Sequence, residues 1–212
     1  MTFHEFEYEI RDTLAKYIRD KVESERYTEL MLGLYEEGAE VVSIIRKSIP
    51  GNFHETEIDI PHLEEELGDI IWYISHIDMQ LQEGNLQSLI CGNSSKSQEI
   101  SMTEYQKTVG IMNENKPRLP ESQLERGRYF SMGLIKEIGQ LATLFGNTLI
   151  NYENLDKNEV ERKLRSSLWY VASIGQNYGL DLETIAMKNV QKTKGRYDKS
   201  GIAKIPAKEE GR

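Results

Sequence analysis

Two short acidic pairs carry the chemistry that this sequence offers. Glu37-x-x-Glu40 lies within GLYEEGAEVV, and Glu66-x-x-Asp69 lies within LEEELGDIIWY. Residues three apart on a helix are neighbours, about 5–6 Å between Cβ atoms, so each pair puts two carboxylates on one face. Each pair also borders an apolar stripe. The first stripe reads Leu30, Leu34, Val41, Ile44, Ser48, with Glu37 at its missing step. The second reads Leu63, Leu67, Ile70, Ile74, Ile77, with Asp69 beside the run Ile70-Ile71-Trp72-Tyr73-Ile74. Carboxylates beside a core are costly unless they meet a cation. Four of them converging there point to a metal site.

All four candidate ligands are hard oxygens, which favours Mg²⁺, or alternatively Mn²⁺, over zinc or copper. A di-iron or di-manganese carboxylate site in a helical bundle usually relies on Glu-x-x-His pairs. Here the position three after each glutamate is Glu or Asp instead. His62 and His76 fall on roughly the face of Glu66 and Asp69, where a helix-terminal or core role explains them more simply. Four ionised carboxylates repel a triphosphate, and two or more divalent ions between them turn repulsion into a clamp. Such ions polarise a phosphoryl group and stabilise the leaving oxygen. Glu36, adjacent to the first pair, is a candidate second acid for the attacking water; a solvated helix-face glutamate is the equal alternative.

Helices must position these acids. The apolar periodicity predicts one from about Phe6 to Glu25, a second from about Thr28 to Lys47, and a third from near Pro61 to about Gln82. Pro50-Gly51 marks a loop between the second and third. The segment 85–101, polar around GNSSKS, reads as a linker, and helical periodicity resumes beyond it. The second half then repeats the first. Gly33-Leu34 and Glu37 recur as Gly133-Leu134 and Glu137, Leu67 as Leu164, and Trp72-Tyr73 as Trp169-Tyr170. Glu5-Phe6-Glu7 matches Glu104-Tyr105-Gln106, and Asn93-x-x-Lys96 matches Asn189-x-x-Lys192. The acids are not copied: Glu40 corresponds to Gln140, Glu66 to Lys163, and Asp69 to Ser166. The expected fold is therefore all-α, an antiparallel helical bundle of two repeats forming a single-chain pseudo-dimer. Its parts are residues 1–84 with the acids, 85–101 as linker, 102–198 as degenerate repeat, and 199–212 as a poorly ordered tail.

Composition narrows the setting. The chain has 212 residues, enough for one large domain or two small ones. Its longest apolar run is far short of the ~20 residues that a spanning helix needs. The opening MTFHEFEYEI reads as neither signal nor transit peptide. Cys91 is the single cysteine, so no intrachain disulfide framework exists and a reducing cytoplasm fits. A net charge of -9 argues against a general nucleic-acid surface. An anionic substrate then needs metal ions or a local basic cluster, and GLDLETIAMKNVQKTKGRYD supplies one. Asn189, Lys192 and Arg196 recur there at helical spacing, with Lys188 and Lys194 nearby and Asp181 as a reasonable N-cap.

These motifs together resemble the MazG-like all-α nucleoside triphosphate pyrophosphohydrolases. The carrying pattern is two adjacent glutamates, a third three residues on, a spacer, then Glu-x-x-Asp; NVQKTKGRYD is similar to the family's closing motif. The resemblance implies that Glu37, Glu40, Glu66 and Asp69 hold magnesium while water attacks the α-phosphorus of a nucleotide. Tyr73 falls where family members place an aromatic near the base. Asn189, Lys192 and Arg196 fall on the phosphate-side tail motif, with Asn93 and Lys96 as first-half counterparts. Ordinary members assemble from identical subunits, so a homodimer of this chain would give a pseudo-tetrameric bundle. Two other readings stand beside this one: a non-catalytic helical interaction protein with a structural cation, and a phosphoribosyl-ATP pyrophosphohydrolase. Trp72 and Trp169 are candidates for stacking a base, but more simply core.

Overall fold

The computed structural model describes residues 1–51, 57–82, 86, 90, 99–116, 118–151 and 154–196. Among them the chain is helical throughout. The helices are α1 (Phe3–Ile10), α2 (Lys16–Arg19), α3 (Glu23–Lys47), α4 (Ile60–Gln82), α5 (Met102–Glu114), α6 (Gln123–Asn151), α7 (Lys157–Asn177) and α8 (Leu182–Arg196). Among the described residues the one extended feature is an isolated antiparallel bridge between Thr2 and Ser101.

Local chemistry fixes the helix ends. Thr2 opens α1 with a capping box to Glu5, and Ser101 opens α5 with the same box to Glu104. Glu23 and Glu25 at the start of α3, and Arg46 and Lys47 at its end, complement the helix dipole. Asp59 accepts from the His62 N–H at 3.1 Å at the head of α4, where Pro61 lacks an N–H that would go unpaired anyway. Gly179 closes α7 with φ 73°, and the Leu180 N–H returns to the Gly175 carbonyl at 2.8 Å. That left-handed turn suits glycine.

The opening helix is shorter than the expected Phe6–Glu25 span. At its end the Thr13 N–H and Oγ1 both donate to the Ile10 carbonyl, at 2.8 and 2.6 Å. Such side-chain competition diverts the backbone from helix. Trp72 Nε1 locks the break by donating to Thr13 Oγ1 at 2.7 Å. The other two expected spans end where the helices end, at Lys47 and Gln82.

Four long helices build the core. α3 packs on α4 and α6, α6 packs on α7, and α4 also meets α7 and α8. Leu30, Leu34 and Val41, then Leu63, Leu67, Ile70, Ile74 and Ile77, are fully buried, as their periodicity predicts. From α6 and α7, Leu134, Ile138, Leu141, Leu164, Leu168 and Val171 complete the interior. Leu86, inside the segment read as a linker, is also buried, and its N–H donates to Glu7 at 2.8 Å.

The two halves use matching contacts. A Cβ on Gly33 would lie 2.2 Å from the Tyr73 ring, and one on Gly133 would lie 2.2 Å from the Tyr170 ring. Trp72 meets Tyr73 edge-on at 4.9 Å, and Trp169 meets Tyr170 edge-on at 4.9 Å. Each tyrosine thus needs a missing side chain on the helix opposite.

Candidate metal centre

α3 delivers Glu37 and Glu40 to the face of α4 that carries Glu66 and Asp69. Oxygens of Glu37, Glu66 and Asp69 lie within 4.8 Å of one another. A second set, Glu40, His62 and Glu66, meets the same limit. Glu66 belongs to both, so the four expected acids do converge. Glu66 and Asp69 are 6% and 8% exposed, which separates this cluster from a solvated acidic face.

His62 also reaches this cluster. It sits in the first turn of α4, as a helix-terminal residue should. Yet its Nε2 is 2.8 Å from Glu66 Oε1 and 3.4 Å from Glu40 Oε2. The His-x-x-x-Glu spacing was its signal. His76 is instead a core histidine, 2% exposed, with its ring tilted against Trp72 at 4.1 Å between centres, and burial pushes its pKa down to about 3. Trp72, buried and hydrogen-bonded to Thr13, is core as well.

The cluster's charge is unbalanced without a cation. Burial, a hydrogen bond with Glu66 and the charges of Asp69, Glu66 and Glu40 push Glu37 up to about 9. Burial also raises Glu66, partly offset by the hydrogen bond from Glu37. Both shifts favour the protonated form of this pair, whereas a divalent ion beside it would favour the ionised form. The donor set, four carboxylates with one imidazole at the edge, fits Mg²⁺ or Mn²⁺.

Cations reach the cluster from α8. Asp181 caps this helix, accepting from the Thr184 N–H at 2.8 Å. Asn189 Nδ2 donates to Asp69 at 2.7 Å, and Lys192 Nζ bonds both Asp69 and Glu65, the latter at 2.5 Å. Burial pulls the Lys192 ammonium down, but its bonds to Asp69 and Glu65 outweigh this and its pKa rises. The same bond from Lys192 lowers Glu65. Arg196 is exposed at the helix end, close enough for its charge to lower Glu65 too. Lys188 pairs with Glu64 at 2.6 Å and Lys194 with Glu9. Between α4 and α8, beside these groups, opens a cavity of about 370 Å³ that Glu65, Asn189 and Lys192 help to line.

Tyr73 stands one turn beyond Asp69 and packs over Gly33, one turn before Glu37. Glu36 is exposed and belongs to neither ligand set. Asn93 and Lys96 lie outside the described residues.

The corresponding place in the second half is filled differently. Lys163 Nζ lies 2.9 Å from Glu137 Oε2 and also bonds Gln140 Oε1. Lys163 and Glu137 are each 5% exposed. From the position matching Glu66, a side-chain ammonium there meets the residues matching Glu37 and Glu40.

The family model for the MazG nucleotide pyrophosphohydrolase domain matches residues 25–89. The match runs through α3 and α4 and takes in all four acids, so the MazG-like resemblance is borne out for that stretch. Comparison with curated proteins and with solved structures gives no match. Among the described residues no helix is long and apolar enough to cross a membrane.

Proposed function

We propose that the chain is a Mg²⁺-dependent pyrophosphohydrolase that cleaves nucleoside or deoxynucleoside triphosphates to a monophosphate and pyrophosphate. Its MazG-type domain supports a nucleotide pyrophosphohydrolase in general terms. The observation that carries the finer reading is the convergence of Glu37, Glu40, Glu66 and Asp69, partly buried, with Asn189 and Lys192 against Asp69. Glu37, Glu40, Glu66 and Asp69 would hold the ions, with two or more present once substrate binds. When bound, such ions stabilise charge on the phosphoryl oxygens and acidify the attacking water. Around them the chain's own groups bind and orient. Lys192 and Arg196 meet phosphate oxygens, Asn189 fixes the Asp69 carboxylate, and Tyr73 lines the base side. Glu36, facing solvent at the cluster's edge, takes a proton from water.

The acids come from the first half and the cations from the second. This supports two repeats, 1–84 and 102–198, folded as a pseudo-dimer with one active site. Leu32 and Tyr35 on α3 and Met132 on α6 are exposed apolar residues suited to a homodimer contact. The direct test is pyrophosphate release across a panel of canonical and damaged nucleotides with added Mg²⁺. Absence of release from every nucleotide would leave the acids as a structural cation site.

Two substitutions probe the surroundings. Lys192→Ala combined with Arg196→Ala should raise KM at least about tenfold, since each removes a charge-assisted contact, with the circular dichroism unchanged. Turnover and KM equal to the parent would remove the role of α8. Gly33→Ala must displace the Tyr73 ring, at about 1–3 kcal/mol of overpacking, and should lower both melting temperature and activity. Gly133→Ala strains Tyr170 similarly and should lower the melting temperature alone.

A further inference from the structure

A second cleft lies in the half that lacks the acids. It opens where the end of α5, residues 118–120, the start of α6 and the end of α7 meet, and its volume is about 450 Å³. None of its lining residues belongs to the acidic cluster.

Two buried polar residues line it, Asn113 at 7% exposure and Ser173 at 1%. The Asn113 Nδ2 donates to Ser173 Oγ at 3.0 Å. Ser173 Oγ has already given its own proton to the Trp169 carbonyl at 2.8 Å, so toward Asn113 it can only accept. This fixes the amide orientation and leaves Asn113 Oδ1 as a buried acceptor with no hydrogen-bond partner. An orphaned buried carbonyl is costly, and a ligand N–H would satisfy it.

The rim is cationic. Arg126 is committed to Asn177 Oδ1 at 3.0 Å and to the carbonyls of Pro120 and Glu121. Lys116 is held over two aromatic rings, 4.7 Å from the centre of Trp169 and 5.0 Å from that of Tyr129. Arg118 is exposed and has φ 69°, the one non-glycine residue in the left-handed region among those described. Neither Lys116 nor Arg118 pairs with a described carboxylate, although Glu114 also lines the cleft. Phe130 adds an apolar wall.

From these groups the geometry points to a second, non-hydrolytic binding site for a nucleoside phosphate. Lys116 and Arg118 would take the phosphate, and Asn113 Oδ1 would accept from an amino group of the base beside Phe130. The volume is that of a small-molecule pocket. Among the described residues no acidic cluster lies at this cleft, and the site is proposed as one of binding alone. This inference does not rest on the hydrolytic reading.

The test uses the full chain in EDTA, where the four acids of the first half have no divalent ion and repel phosphates. AMP, CMP, adenosine and inorganic phosphate are titrated by calorimetry. The nucleoside monophosphates should bind with Kd below about 1 mM. Inorganic phosphate should bind at least about tenfold more weakly for want of the base contact, and adenosine likewise for want of the phosphate. Arg118→Gly removes the cation while relieving the left-handed backbone, so it should fold at least as well and weaken AMP and CMP about tenfold. Lys116→Met, which keeps an apolar stem on Trp169, should do the same. Absence of nucleotide binding, or binding unchanged by both substitutions, overturns the site. Inorganic phosphate binding as tightly as AMP and CMP overturns the nucleoside assignment.

Discussion

Glu37→Gln is expected to cut Mg²⁺-dependent pyrophosphate release by at least about 10²-fold while making the metal-free protein more stable at neutral pH. The two effects share one cause. Glu37 sits against Glu66, Asp69 and Glu40, and burial with those charges pushes its pKa up to about 9. In the unfolded chain the same carboxyl has its ordinary value of 4.5. Between those values the unfolded chain has lost the proton that the folded one keeps. The native state then binds more protons than the unfolded state, so unfolding free energy falls as pH rises through that window. Glutamine cannot ionise and removes this slope. Divalent ions remove it differently, by displacing the proton, so Mg²⁺ affinity should rise with pH toward about 9 and binding should release protons. Melting curves from pH 5 to 9, with EDTA and with Mg²⁺, read all of this. In EDTA the parent's melting temperature should drop across the range more steeply than that of Glu37→Gln. Mg²⁺ should lift the parent most at high pH and the variant least. Parallel pH slopes for the two proteins in EDTA would mean that Glu37 is not the proton-holding member of the cluster.

Much of this arrangement is legible in the sequence because helical geometry is local. Glu37-x-x-Glu40 and Glu66-x-x-Asp69 sit on their stripes by spacing alone, and Leu63 through Ile77 reveal the buried face of α4. The spans ending at Lys47 and Gln82 follow from the same period. The break after Ile10 does not, because it depends on Thr13 turning its hydroxyl back to the Ile10 carbonyl and on Trp72, distant in sequence, donating to that hydroxyl. The place of His62 in the cluster is only half legible, for a related reason. Its position four before Glu66 is visible, but its approach to Glu40 depends on how α3 lies against α4. The reach of Lys192 to Asp69 and Glu65 is likewise tertiary. The basic spacing in α8 announces cations without saying which acids they meet.

Lys163→Met should be the most destabilising single change in the second half, costing about 3–5 kcal/mol. Lys163 and Glu137 are almost completely buried and 2.9 Å apart, and Gln140 completes the cage around the ammonium. Burial alone would raise the Glu137 carboxyl, but hydrogen bonds from Lys136 and Lys163 outweigh it and hold its pKa below the ordinary value. Removing Lys163 leaves that carboxylate in the core with only Lys136, whose side chain is 61% exposed, at its outer oxygen. In a domain of this size each kcal/mol is worth about 2–4 °C, so the melting temperature should fall by roughly 6–20 °C. Lys136→Ala, which removes only the exposed partner, should cost less than about 1 kcal/mol. The decisive comparison is Glu137→Leu with Lys163→Met, which replaces the pair by apolar groups of similar size. It should recover most of the loss, because the penalty lies in the unpaired charge and not in the absent bridge. Urea unfolding of the three variants separates these cases. Were the double variant as unstable as Lys163→Met alone, packing would be responsible. The idea that this ammonium supplies the neutralising charge that a divalent ion would supply among the first-half acids would then fall.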